Sequence, residues 1–412
     1  MQVPEVLKRL ARPILRRTLY AQSVYRPVQA DRPFYIRLDI TNTCNQACIK
    51  CWYPDYAKQG HPVQQMAVAD FERLAERLFP YAHFLQIPFA FEALTHPQFA
   101  RLARIADSYD IPDMGVVTNG TLLCGDKAEA LIESRNFMAV NVSLDGVEEA
   151  TYAHHRGRAQ LGVLLRNIDA FQRRKRELGK EFPHLKINCV MTRSNVGELP
   201  EIARWCVRNG VDEAEFFHVE PYELQNEESL LHTPEAYNRA HDEIGQVLRG
   251  SGVRIFLPPP YEAEDFDPRT GAYLRRYCQG VRTSPFDTSG TYEMLPPPEG
   301  MPGDTICINP WMVLVIDAWG NLRPCSHRGA LPPFANILQQ EMESAVNSIR
   351  ILKLRRGHQC GKHDDICVGC KSKTPNSDPM KWRHTRRLEP LAGSENAKMA
   401  TQEEEPLGAL VE

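Results

Sequence analysis

Residues 34–51 read FYIRLDITNTCNQACIKC, an alternating run that ends in three cysteines. Phe34, Ile36, Leu38 and Ile40 share one face and Tyr35, Arg37 and Asp39 the other, the period-2 pattern of a strand. Five more strand candidates follow: His83–Phe89, Met114–Thr118, Met138–Ser143, Leu185–Met191 and Glu215–Val219. Amphipathic stretches such as DFERLAERLF and LPEIARWCVRN separate them. Strand–helix alternation of this kind implies parallel βαβ units. Six units build either an open doubly wound sheet or a partial barrel. Buried parallel strands are usually apolar along their whole length. The polar face of the first run points to a wide, solvated lumen, and to the barrel, although an edge strand would look similar.

In either fold, function collects at the carboxyl ends of the strands. Cys44-x₃-Cys48-x₂-Cys51 sits at such an end, as do Glu92, Thr118-Asn119-Gly120, Ser143-Leu144-Asp145-Gly146 and Met191-Thr192-Arg193. Three thiolates on one loop are one short of a closed tetrahedral zinc site. They suit a cubane iron–sulfur cluster with three irons held by protein and the fourth left open. The competing readings are a zinc loop with a distant fourth ligand and a group of buried thiols.

At 412 residues the chain exceeds one ordinary core, so two domains are the natural expectation. Its formal charge of −3 makes no overall case for nucleic acid. The twelve cysteines are clustered rather than spread as a disulfide scaffold, and no secretory signal precedes them, which reads as a reducing, cytoplasmic setting. No apolar run reaches membrane-spanning length. The N-terminal VPEVLKRLARPILRRTLY is basic and amphipathic, interrupted by Pro13. Such a segment either packs on its own domain, the commoner use, or associates weakly with an anionic membrane surface.

The organisation expected is a basic extension at 1–33, the partial barrel at 34–235, and a helix with a Pro-rich connection at 236–304. A cysteine-rich α+β unit at 305–375 and a polar, acidic, disordered tail at 376–412 complete it. Within 305–375, WMVLVIDAWGNLRP reads as a hairpin turning near Gly320-Asn321. Cys124, Cys189 and Cys206 lie in βα segments and read as small buried residues.

The CxxxCxxC loop after the first strand of a six-unit βα array resembles the radical S-adenosylmethionine (SAM) superfamily, over roughly residues 34–220. The resemblance implies a [4Fe–4S] cluster held by Cys44, Cys48 and Cys51, with SAM on the open iron. It also implies reductive cleavage of SAM to a 5′-deoxyadenosyl radical that takes a hydrogen atom from the substrate, the electron coming from a flavodoxin or ferredoxin. Phe89–Pro97 lies where the family carries GGEP, with Glu92 kept for the SAM ammonium but the glycines replaced. TNG, with Asn119, resembles the third-strand end, and VSLDG implies Ser143 near the SAM carboxylate or ribose. Arg193 is placed by the same resemblance to pair with that carboxylate. The family's apolar residue before the third cysteine is Lys50 here, with Trp52 and Tyr53 following as candidates to stack on the base.

Residues 305–371 resemble the SPASM/twitch extension, on CINPWMVLVIDAWGNLRPC, FANI and CVGC. The resemblance implies one auxiliary [4Fe–4S] cluster on Cys307, Cys325, Cys367 and Cys370, with Cys278 upstream and Cys360 either replacing one ligand or idle. A zinc ribbon is the rival reading there. The expected reaction is oxidation or epimerisation of a small polar molecule such as a sugar or aminocyclitol. Modification of a peptide or protein side chain is the alternative, and a non-catalytic iron–sulfur or zinc scaffold the reading from another class. Tyr152, His154, His155, Arg156 and His218 are candidates to line the cavity.

Overall fold

The structure, a computed structural model, describes residues 34–157, 160–219, 227–258, 260–261, 266–267, 272–273, 310, 313–323, 325 and 333–360. The six expected strands form: β1 (Phe34–Leu38), β2 (Ala82–Ile87), β3 (Met114–Thr118), β4 (Phe137–Ser143), β5 (His184–Met191) and β6 (Glu213–His218). Each pairs in parallel with the next, in chain order. Helices return the chain between them: α1 (Tyr53–Lys58) and α2 (Val68–Leu78), then α3 (Phe99–Asp107), α4 (Gly125–Glu133), α5 (Glu149–Arg156), α6 (Leu161–Glu177) and α7 (Leu199–Arg208). The result is a partial (β/α)₆ barrel.

The helices bury one stripe each, as their spacing requires. Phe71, Leu74, Ala75 and Leu78 on α2 fall at i, i+3, i+4 and i+7, as do Phe99, Leu102, Ala103 and Ala106 on α3 and Leu199, Ile202, Ala203 and Cys206 on α7. These side chains meet the strands' buried residues in one continuous core. In β1, Phe34, Ile36 and Leu38 are fully buried while Tyr35 and Arg37 are half-buried, so the alternation seen in sequence is a real division of faces.

The sheet extends beyond six strands at both edges. After α8 (Pro234–Leu248) a short β7 (Arg254–Phe256) pairs in parallel with β6, a strand that the prolines following it obscure in the sequence. A separate pair, β8 (Phe266–Asp267) and β9 (Ala272–Tyr273), is antiparallel. At the other edge β10 (Val313–Ile316) runs parallel to β1, Ile36 opposite Leu314. It continues antiparallel into β11 (Asn321–Arg323) and β12 (Ala335–Asn336). The hairpin around Gly320-Asn321 is thus part of the barrel sheet. Two helices follow, α9 (Met342–Val346) and α10 (Ile349–Cys360), with buried Arg355 donating to the carbonyls of Pro310 and Val346 and to Asn347. Among the described residues no helix is long and apolar enough to cross a membrane. The N-terminal extension, the tail at 376–412 and most of the Pro-rich connection lie outside the described residues.

Asp39, one residue past β1, does not belong to a solvated face: it is buried. Its Oδ1 accepts from the backbone N–H groups of Phe89, Ala90 and Phe91, at 2.9, 2.9 and 3.3 Å, and so shapes the loop after β2. Burial raises its carboxyl to about 7 against those three donors. Buried Asp145 is opposite: Arg156 and Lys50 hold it down to about 2 despite its burial. The two give opposite pH limbs. Asp145 stabilises the fold above about pH 3.8, and that contribution is lost as pH falls through about 2. Asp39 stabilises it below about pH 3.8, and the contribution, about 4 kcal/mol in full, is lost as pH rises through about 7. Urea denaturation of Asp39→Asn from pH 4 to 8 is expected to lose that alkaline decline, and an unchanged slope would refute the assignment.

Candidate active site at the strand ends

The cysteine loop, residues 41–51, is stitched to the end of every strand from β2 to β5 or to the segment that follows it. Toward β2, Glu92 N donates to the Thr43 carbonyl at 3.0 Å, and the Thr43 and Thr95 hydroxyls meet at 2.7 Å. Toward β3, Asn119 Nδ2 donates to Asn45 Oδ1 at 2.8 Å, and Asn45 Nδ2 donates to Thr121 Oγ1 at 2.9 Å. Toward β4 and α5, Ile49 N donates to the His155 carbonyl at 3.2 Å. Toward β5, Lys50 Nζ lies 3.4 Å from the Val190 carbonyl.

Each loop sulfur faces a nitrogen donor, and Cys48 Sγ also donates to Gln46 Oε1 at 3.7 Å. Gln46 N approaches Cys44 Sγ at 3.5 Å, Tyr53 N approaches Cys51 Sγ at 3.4 Å, and Arg156 Nη1 lies 3.8 Å from Cys48 Sγ. Burial pushes the Cys44 thiol up to about 12 and raises Cys51, so without an electron-pair acceptor these thiols keep their protons. Iron is such an acceptor, and N–H and guanidinium donors aimed at sulfur are what thiolate ligands need. The three cysteines therefore fit a cluster on chemistry. Among the described residues no three Cys, His, Asp or Glu side chains converge on a single ion.

Glu92, half a motif in sequence, is a fully buried hub. Its Oε1 accepts from Thr118 Oγ1 at 2.8 Å and Leu94 N at 3.1 Å, and its Oε2 from Asn119 N at 2.7 Å. Burial raises its carboxyl pKa against those donors. Three of the four or so lone-pair positions of a carboxylate are filled, which leaves Oε2 able to take one more donor. Asn119 is beside it, its amide 4.0 Å from Cys44 Sγ. Ser143 closes β4 opposite Asn188 of β5 and is half-buried. Arg193 does not join this group: it is exposed, and among the described residues its side chain donates to the Glu227 carbonyl at 3.0 Å. Trp52 is half exposed and meets Tyr56 and Phe91 edge-on at 5.3 and 5.2 Å, an aromatic patch beside Cys51.

Sequence reasoning named Lys50, Asp145 and Arg156 separately but missed that they pair, buried, beneath the loop. Lys50, noted there only as a departure from an apolar position, is 2.7 Å from Asp145 Oδ2, and Arg156 pairs with the same oxygen. Asp145, read as turn chemistry, is fully buried, with Oδ1 accepting from Val190 N at 2.8 Å. A lysine wedged between Ile49 and Cys51 was the available signal, since a charge carried into a buried loop demands a partner. His155 is buried too, bonded to Ser194 Oγ at 3.0 Å, and burial lowers it to about 4. Of the remaining cysteines, Cys189 and Cys206 are buried as expected, but Cys124 is exposed at the start of α4. Cys325 follows β11, while Cys307, Cys367, Cys370 and Cys278 lie outside the described residues, and Cys360 ends α10.

Residues 38–206 match the family model described as the Radical SAM superfamily. The chain is 27% identical over 182 residues to the tungsten-containing aldehyde ferredoxin oxidoreductase cofactor-modifying protein of Pyrococcus furiosus, covering 43% of this chain and 49% of that one. It is 27% identical over 187 residues to the GTP 3′,8-cyclase of Ectopseudomonas mendocina, covering 43% and 52%. The chain thus spans about half the length of the curated relatives it matches. In fold it is similar to Streptococcus suis SuiB bound to S-adenosylmethionine, with a TM-score of 0.54 and 14% identity over 79% of this chain and 68% of SuiB. SuiB has also been solved bound to its precursor peptide SuiA.

Proposed function

From the radical SAM domain that residues 38–206 constitute, we propose that this enzyme uses the strand-end site to abstract a hydrogen atom from its substrate. The observation that carries the reading is the loop of Cys44, Cys48 and Cys51, its sulfurs facing N–H and guanidinium donors and its backbone and side chains tied to four strand ends or the segments that follow them. Cys44, Cys48 and Cys51 hold a [4Fe–4S] cluster, Glu92 Oε2 accepts from the SAM ammonium, and Asn119 and Ser143 face the rest of that cofactor. When bound, cluster and SAM supply one-electron cleavage to a 5′-deoxyadenosyl radical. Arg193 reaches the SAM carboxylate only by leaving the Glu227 carbonyl. The protein's part is to hold the substrate at the strand ends and keep water out.

Oxidation or epimerisation of a small polar molecule is the first substrate reading. The second, modification of a peptide side chain, is favoured by the SuiB fold, since that protein binds a precursor peptide. An auxiliary [4Fe–4S] cluster on Cys307, Cys325, Cys367 and Cys370 serves either as electron acceptor or as substrate ligand, and a flavodoxin or ferredoxin supplies the reducing electron. Anaerobic reconstitution is expected to give about eight iron and eight sulfide per chain when both cubanes form. The reduced protein with SAM is expected to release 5′-deoxyadenosine. Zinc in both sites with no SAM cleavage overturns the proposal. Faster release with peptides than with sugars or aminocyclitols decides for the second substrate reading, and the reverse for the first.

A further inference from the structure

Beneath the cysteine loop lie three charged side chains that no hydrogen-abstraction step requires. Asp145 is fully buried, and the side chains of Lys50 and Arg156 are each only 10% exposed. Val190 N fixes Asp145 Oδ1 at 2.8 Å, and Asn195 Nδ2 holds the Asp145 carbonyl at 2.9 Å. The carboxylate is therefore anchored to β5 and cannot follow the loop. Both cations converge on its other oxygen, and Arg156 also reaches up to Cys48 Sγ at 3.8 Å. Tyr152, His155 and Cys189 also face them, and burial disfavours the charged form of each.

Stability alone does not account for this arrangement. A buried pair of charges is often no better than apolar side chains of the same size, because desolvation offsets the attraction. Here there are two cations for one carboxylate, which leaves positive charge directly under a sulfur ligand. Inside a protein the field of such a charge is weakly screened. One-electron reduction adds negative charge to whatever the three thiolates hold. A surplus cation at that distance favours the reduced state, and a carboxylate opposes it.

We propose that Arg156, Lys50 and Asp145 are positioning residues that orient Cys48 and set the reduction potential of the cluster on the cysteine loop. The inference rests on the proposed cluster at Cys44, Cys48 and Cys51 and adds to it a sign that can be measured. Removing a cation makes the cluster harder to reduce; removing the anion makes it easier.

The experiment is a redox titration of the reconstituted full-length protein, followed by the electron paramagnetic resonance signal that changes on adding SAM. In Arg156→Met the reduced-to-oxidised ratio at fixed potential is expected to fall about tenfold, a shift of about 59 mV to the negative for a one-electron couple. Asp145→Asn is expected to move the ratio in the opposite direction, and Arg156→Lys to stay within about twofold of wild type. A purely structural role loosens the loop in both Arg156→Met and Asp145→Asn and shifts both the same way. That outcome overturns the proposal, as does an unchanged ratio in both at wild-type iron content. Where Arg156→Met holds no iron, Lys50→Met removes a charge of the same sign and carries the same expectation. A wild-type protein with no SAM-sensitive cluster signal overturns the proposed function itself, whereas a normal signal with unresponsive variants overturns this inference alone.

Discussion

Glu92→Ala is expected to lower the stability of the unloaded protein by on the order of 3–9 kcal/mol, before any cofactor is involved. The carboxylate accepts from Leu94 N, Thr118 Oγ1 and Asn119 N in a fully buried setting. Each donor left unpaired there costs about 1–3 kcal/mol. For a domain of this size the melting temperature is expected to fall by on the order of 10 °C. Glu92→Gln recovers only part of the loss, because its carbonyl can keep the Thr118 and Leu94 donors while its amide faces Asn119 N–H donor to donor. Circular dichroism melts of the metal-free proteins check this. A Glu92→Ala protein as stable as wild type, impaired only in SAM binding, would assign the carboxylate to the cofactor alone.

Gly157→Ala is expected to cost about 3 kcal/mol and to prevent iron from being retained on the cysteine loop. Gly157 follows α5 with φ +67° and ψ −112°, a conformation that side-chain-bearing residues pay roughly 1–3 kcal/mol to adopt. A Cβ there meets the Ala47 carbonyl oxygen at 2.5 Å and its carbon at 3.0 Å. Both atoms are backbone of the loop between Cys44 and Cys48, so relief requires the loop itself to move. Gly179 is the control, with φ +61° and nothing within 4 Å of the same position. Gly179→Ala is expected to show only the conformational cost and full iron content. Iron and sulfide analysis after reconstitution separates the two; equal iron content in both variants would sink the steric argument.

These two residues divide what was legible from what was not. Glu92 was found through its place after β2, and its partners were partly visible as the TNG end of β3. What the residue string did not disclose is that the same carboxylate caps the Ala93–Thr95 turn and accepts from the next strand's end. Gly157 carried no signal at all, because its constraint comes from Ala47, 110 positions earlier. Arg193 is the converse case: a charged residue at a strand end, well placed in one dimension, whose side chain the fold leads to Glu227 at the surface.

The sequence by itself determined the six βα units and the three-cysteine loop at the first strand's end, from which the barrel and an iron–sulfur site are read. Both depend on local information: apolar period within a strand or helix, and three cysteines within eight residues. The tertiary structure alone decided that β10 lies against β1, that Asp39 shapes the loop carrying Glu92, and that Lys50 and Arg156 meet on Asp145. The physical reason is that burial and pairing are properties of neighbours in space. A charge in the residue string has no sign of its environment until the strand ends come together around it.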